Sequence, residues 1–148
     1  MGEVVYLLDT NIISEPTRRR PSPSVIEQLK AQEGKMALSS ITWHEILTGL
    51  HTMPEGRRRS NLESFFHEVV RVEFPILPFD IKAAEWFALQ RAQLIQQGKT
   101  PSYADGQIAS IAATNNLILV TRNTKDIQHY DGLSFQNWFE NDSSLTHI

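Results

Sequence analysis

The sequence predicts an α/β fold of three layers, an α/β/α arrangement with helices on both faces of a mainly parallel central sheet. Three observations carry that expectation. Two strongly apolar runs, "VVYLL" at residues 4–8 and "LILVT" at 117–121, read as buried strands. Weaker strand-like stretches alternate with segments of helical spacing, and right-handed crossovers turn such alternation into a parallel sheet. The chain has 148 residues, 41% of them hydrophobic, which suits one domain with its own core and no second domain.

The elements follow in order. The first strand runs directly into Asp9, Thr10 and Asn11, and "PTRRRPSPS" at 16–24 is a loop rich in Pro, Ser and Arg. Ser24 with Glu27 forms a capping box, and Val25, Ile26 and Leu29 make the apolar stripe of a short helix. "KMALS" at 35–39 is strand-like, and "TWHEILTGLH" from Thr42 sets Trp43, Ile46, Leu47 and Leu50 at helical spacing. A basic helix follows, in which Leu62, Phe65, Phe66, Val69 and Val70 form one broad buried face. "FPILPF" at 74–79 is a brief strand between prolines. Asp80 caps a long helix, marked by Ile81, Ala84, Phe87, Ala88, Arg91, Leu94 and Ile95, that ends near Gly98. The Ala-rich "YADGQIASIAATNN" is helical, "LILVT" is the second apolar strand, a short helix spans Thr124 to His129, and a final strand lies near Leu133 to Phe135. The core is expected over residues 4–139, with a polar, frayed tail over 140–148.

Composition excludes several classes. With no cysteine there is no disulfide framework, thiolate metal site or thiol nucleophile. No cleavable leader and no apolar stretch near the roughly 20 residues of a membrane span are visible, so a cytoplasmic protein is expected. The net charge of -3 argues against a general cationic coat, but it averages in two basic runs, Arg18-Arg19-Arg20 and Arg57-Arg58-Arg59, either of which could meet phosphates.

Four acids fall at or near the carboxyl ends of strands, where open parallel sheets place their sites. Asp9 follows the first strand, Glu45 follows "MALS", Asp105 begins the Ala-rich helix and Asp126 follows "LILVT". Each has a structural explanation taken singly. Asp9 could serve as an Asx turn, Glu45 could complete a capping box with Thr42 and Asp105 one with Ser102, and Asp126 could answer a helix dipole. Together those explanations weaken, because carboxylates gathered at one sheet edge repel unless a cation lies between them. With no Cys among the donors, hard Mg²⁺ or Mn²⁺ is favoured over zinc, and phosphodiester hydrolysis is the implied chemistry.

"LLDTNIIS", "TWHEILTGL" and "SYADGQIASIAATNNLILVTRNTKDI", in this order and spacing, resemble the PIN domain, and specifically the VapC-type toxin ribonucleases of type II toxin–antitoxin pairs. The likeness spans about residues 4–139. It implies the PIN-like three-layer fold, a Mg²⁺-dependent endoribonuclease with Mn²⁺ as possible substitute, and catalytic, metal-holding acids at Asp9, Glu45, Asp105 and Asp126. It further implies that Asn11 orients the first carboxylate and that Thr121 supplies a supporting hydroxyl. Asn123 stands where many relatives carry Asp, so the fourth acidic position rests on Asp126 alone. The implied partners are an RNA substrate, a cognate antitoxin and a second copy of the chain, with a face around Trp43 to Phe66 as the antitoxin site.

Arg18, Arg19, Arg20, Arg122 and Lys125 are the candidate RNA contacts. His44 neighbours Glu45, but successive helical residues diverge by about 100°, and His51, His67 and His129 have no metal spacing, so all four are expected at the surface. Two other classes compete. A phosphatase of the haloacid-dehalogenase kind also begins with a strand ending on Asp, but it wants a second Asp two residues on, where this chain has Asn11. A PIN-like module that binds RNA or a partner without cutting would show missing acids, and here four stand.

Overall fold

The computed structural model describes residues 3–139; the tail expected to fray lies outside the described residues. Five strands, β1 (Tyr6–Leu8), β2 (Met36–Ser39), β3 (Ile76–Leu77), β4 (Ile118–Val120) and β5 (Phe135–Gln136), pair in parallel in the order β3-β2-β1-β4-β5. The strands are shorter than the apolar runs that announce them. Their register decides the core: Leu7 lies beside Ala37 and Leu119, and Leu8 beside Leu38 and Val120. Successive side chains of a strand point to opposite faces, so the first rank packs with Phe87, Leu94, Ile108 and Ile111, and the second with Ile12, Val25, Ile46 and Phe66. The three-layer α/β prediction therefore holds, with a sheet whose pairings are all parallel.

The second face is covered by α1 (Thr10–Ile13), α2 (Pro23–Ala31), α3 (Ser40–Thr52) and a long helical run that comprises α4 (Arg57–Ser64), a π-helical segment Phe65–Val70 and α5 (Arg71–Glu73). The first face is covered by α6 (Ile81–Gln96), α7 (Tyr103–Thr114) and α8 (Thr124–Ile127). Among the described residues no helix is long and apolar enough to cross a membrane.

Several caps differ from expectation. α2 is capped by Ser22, whose Oγ accepts from the Val25 amide at 3.3 Å, with Pro23 in the first turn; Ser24 lies inside the helix and donates its hydroxyl to the Trp138 carbonyl. Proline at the first helical position fixes the start two residues before the one that the Ser24–Glu27 box implies. α3 is capped by Ser39, whose Oγ accepts from the Thr42 amide at 3.0 Å. It therefore springs directly from β2, and Glu45 stands in its second turn. In α6 the buried stripe is Ala83, Phe87, Gln90 and Leu94, while Ile81 and Ile95 of the expected stripe are exposed. The Asp80 cap is as expected, its Oδ1 accepting from the Ala83 amide at 3.0 Å.

Candidate active site

The chain lays β1 at the centre, builds outward through β2 and β3, and returns to place β4 against the other side of β1. Such a reversal opens a crevice at the carboxyl ends of the two strands, here β1 and β4. Asp9 and Thr121 follow those ends directly. The Asp9 amide donates to the Val120 carbonyl at 2.9 Å, and the Thr121 hydroxyl donates to Asp9 Oδ2 at 2.8 Å. Asp9 is 9% exposed and Thr121 2%, so that bond is shielded from water. The other oxygen, Oδ1, accepts from the Thr10 amide at 2.8 Å and caps α1. The Asx-type turn thus engages one oxygen of the carboxylate and Thr121 the other.

Glu45 reaches the same place from α3, its Oε1 accepting from the Thr10 hydroxyl at 3.2 Å. Because Ser39 caps α3, the box proposed between Thr42 and Glu45 does not form, and that structural account of Glu45 falls. Asp105 lies in the first turn of α7, where the Ser102 hydroxyl accepts from the Asp105 amide at 3.4 Å. Among the described residues the Asp105 carboxylate makes no return bond to Ser102, so its oxygens are left for other work.

Electrostatics ties the four acids together. Burial raises the Glu45 carboxyl above its ordinary pKa, and Asp9 and Asp105 push it further against the opposing Thr10 hydrogen bond and His44. Burial likewise raises Asp105, with Asp9 and Asp126 adding to it. Among the described residues the side-chain ion pairs are Arg18–Glu15 and Arg59–Glu63, so none of the four acids has a basic partner. An all-oxygen set with uncompensated charge suits a hard divalent cation. No three His, Asp or Glu among the described residues close around a single point, and Mg²⁺, which keeps several of its waters, does not require them to.

The remaining expected residues divide. Asn11 is exposed and makes no hydrogen bond to Asp9; Thr10 and Thr121 hold that carboxylate instead. Asn11, Arg18 and Arg122 line one small pocket of about 270 Å³, although Arg18 is 3.3 Å from Glu15 and Arg122 lies over the Phe139 ring at 4.3 Å. Arg19 and Arg20 are exposed in the loop. Lys125 lines a different cleft, with Asp105, Asp126, Lys99 and His129. His44, His51, His67 and His129 are all exposed, as expected. Thr10, a partner of Glu45 across 35 positions, went unnoticed in the sequence; its one signal there was a hydroxyl directly beside Asp9.

The PIN domain family model matches residues 6–133, the span that holds all four acids and the strands that position them. This chain belongs to the PIN domain family. This PIN domain is 35% identical over 135 residues to the tRNA(fMet)-specific endonuclease VapC of Shigella flexneri, covering 90% of this chain and 97% of that protein. It is 33% identical to the toxin FitB of Neisseria gonorrhoeae, covering 92% of this chain and all of that protein. The crystal structure of FitAcB from Neisseria gonorrhoeae superposes with a TM-score of 0.85 at 32% identity, covering 91% of this chain and 99% of that one. The fold and family expected from the three motifs are therefore the observed ones.

Proposed function

We propose that this PIN domain is an endoribonuclease of the VapC type, the toxin of a type II toxin–antitoxin pair, hydrolysing RNA phosphodiesters with Mg²⁺ or, in its place, Mn²⁺. The observation that carries the reading is the group of acids at the β1/β4 crevice, mutually repelling and without a basic partner, in a chain whose relatives are named endonuclease and toxin. Asp9 and Asp105 are the principal ligands. A divalent ion held there would lower the pKa of a water and offset charge on the phosphate. Thr121 fixes the Asp9 carboxylate by its buried bond. Glu45, kept in reach by Thr10, holds the ion or takes a proton from the attacking water, and Asp126 is the outer ligand. The water oxygen bonds to phosphorus as the bond to one ester oxygen breaks, so no covalent enzyme intermediate forms.

The partner is an antitoxin, as the FitAcB likeness supports, and a homodimer in the cytoplasm accompanies this reading. An apolar groove of about 560 Å³ bordered by Ile13, Leu29, Phe65, Val69 and Phe74 suits an amphipathic antitoxin helix, and it meets the expected Trp43–Phe66 face at Phe65.

The test is cleavage of a mixed pool of tRNA and structured RNA, initiator tRNA included because of the Shigella relative's name, by antitoxin-free protein with Mg²⁺ or Mn²⁺ against EDTA. Metal-dependent cutting that Asp9→Asn abolishes, with the variant's circular dichroism unchanged, is expected. Cutting that survives in folded Asp9→Asn, or none with either metal, overturns the reading in favour of a module that binds without cleaving.

A further inference from the structure

The cleft that Asp105 and Asp126 help to line holds about 440 Å³ and is lined also by Lys99, Lys125 and His129. We infer that this basic wall binds a phosphate of the RNA strand next to the one being cut. The inference rests on the ribonuclease reading and extends it to the path of the substrate.

Lys99 is not a loose surface lysine by backbone placement. α6 ends in a Schellman motif: Gly98, at φ 80°, donates its amide to Ile95 at 2.9 Å, and the Lys99 amide donates to Leu94 at 2.9 Å. Lys99 is thereby fixed at the mouth of the cleft. Its Nζ lies 3.3 Å from His129 Nδ1, and Lys125 stands four residues before that histidine. The Lys99 ammonium can only donate, so His129 Nδ1 accepts, and that bond holds the lysine head at the cleft.

The acids of the same cleft do not pair with these cations: among the described residues neither lysine forms an ion pair. A metal held by the acids and a phosphate held by the lysines would satisfy both. The twelve-residue α7 begins at the same place, with Thr100, Pro101 and Ser102 in the lining, and a helix N-terminus favours an anion further. The scissile phosphate belongs with the acids, so the wall takes its neighbour, an interaction that positions the strand and reads no base.

The test is binding of a fluorescein-labelled single-stranded RNA to cleavage-deficient Asp9→Asn protein at constant Mg²⁺ across a range of salt. Adding Lys99→Gln or Lys125→Gln is expected to weaken binding equally for RNAs of different sequence and to reduce the slope of log K against log salt by about 0.7 for each phosphate no longer neutralised. Lys99→Arg keeps the slope, and in the cleaving protein Lys99→Gln raises KM while kcat holds. Unchanged affinity and slope in both Gln variants overturn the phosphate wall and leave the ribonuclease reading standing. Failure of the Asp9→Asn parent to bind RNA, together with absence of cutting by the unaltered protein, overturns that reading and takes the wall with it.

Discussion

At the scale of single residues, the site depends on how Asp9 is held. Among the described residues its Oδ2 has one donor, the buried Thr121 hydroxyl, which also accepts from the Asn123 amide at 3.1 Å. Thr121→Val keeps the shape and removes both bonds, leaving a carboxylate oxygen and an amide without their partner. Such losses cost about 1–3 kcal/mol when buried. Urea denaturation should show a drop in that range, with cleavage falling in parallel and Thr121→Ser restoring most of both; full activity in a folded Thr121→Val protein would remove Thr121 from the site. Three of the acids are legible because Asp9 follows an apolar strand and Asp105 and Asp126 open helices, whereas Glu45 stands a turn into α3 and is placed by the resemblance. Their supports are not legible in this way. The Thr10–Glu45 and Thr121–Asp9 bonds join residues 35 and 112 positions apart, and only the strand order brings those together. The resemblance implies that Asn11 orients Asp9, whereas the bonds to that carboxylate come from the Thr10 amide and the Thr121 hydroxyl.

At the scale of elements, hydrophobic periodicity located the helices but not always their faces. In the long helical run the stripe Leu62, Phe65, Phe66, Val69 and Val70 assumes uniform α-winding, whereas Phe65–Val70 is π-helical. The wider turn changes which side chains point inward, so Phe66 and Val70 are buried while Val69 is 41% exposed. α6 and α7 show a constraint that periodicity cannot express. A Cβ on Gly106, beside Asp105, would lie 2.1 Å from Phe87 Cε1 and 2.8 Å from the Tyr130 hydroxyl oxygen. Phe87 is a core ring, and both Phe87 and Tyr130 belong to the cluster beneath α7, so neither can withdraw cheaply. Gly106→Ala should therefore destabilise the fold by about 1–3 kcal/mol despite the better helix propensity of alanine. A midpoint of urea unfolding equal to or above that of the unaltered protein would show that α6 and α7 can separate without cost.

At the scale of the whole molecule, the parallel architecture was legible from the alternation of elements, but the order β3-β2-β1-β4-β5 came only from the pairings, and that order makes the crevice. The crevice carries a cost in the metal-free protein. Burial, and then the neighbouring carboxylates, raise Glu45 and Asp105. A carboxyl raised in the folded state keeps its proton where the unfolded chain has released it, so stability falls as pH rises from the ordinary carboxylate range through the raised values. The penalty from these two acids is thus absent in acid and grows as pH rises through the raised values. A divalent ion bound to the folded state offsets it, by about 2.7 kcal/mol at one hundred times its Kd. Calorimetry should then show that Mg²⁺ raises Tm at pH 7 and has little effect near the ordinary carboxylate pKa, where protons compete for the same oxygens. Asp105→Asn removes one repelling charge, so it should raise the metal-free Tm at pH 7 and blunt the response to Mg²⁺. A Tm at pH 7 that is indifferent to both Mg²⁺ and Mn²⁺ would sink the metal assignment, because an ion that neutralises mutually repelling carboxylates in the folded state alone must stabilise that state.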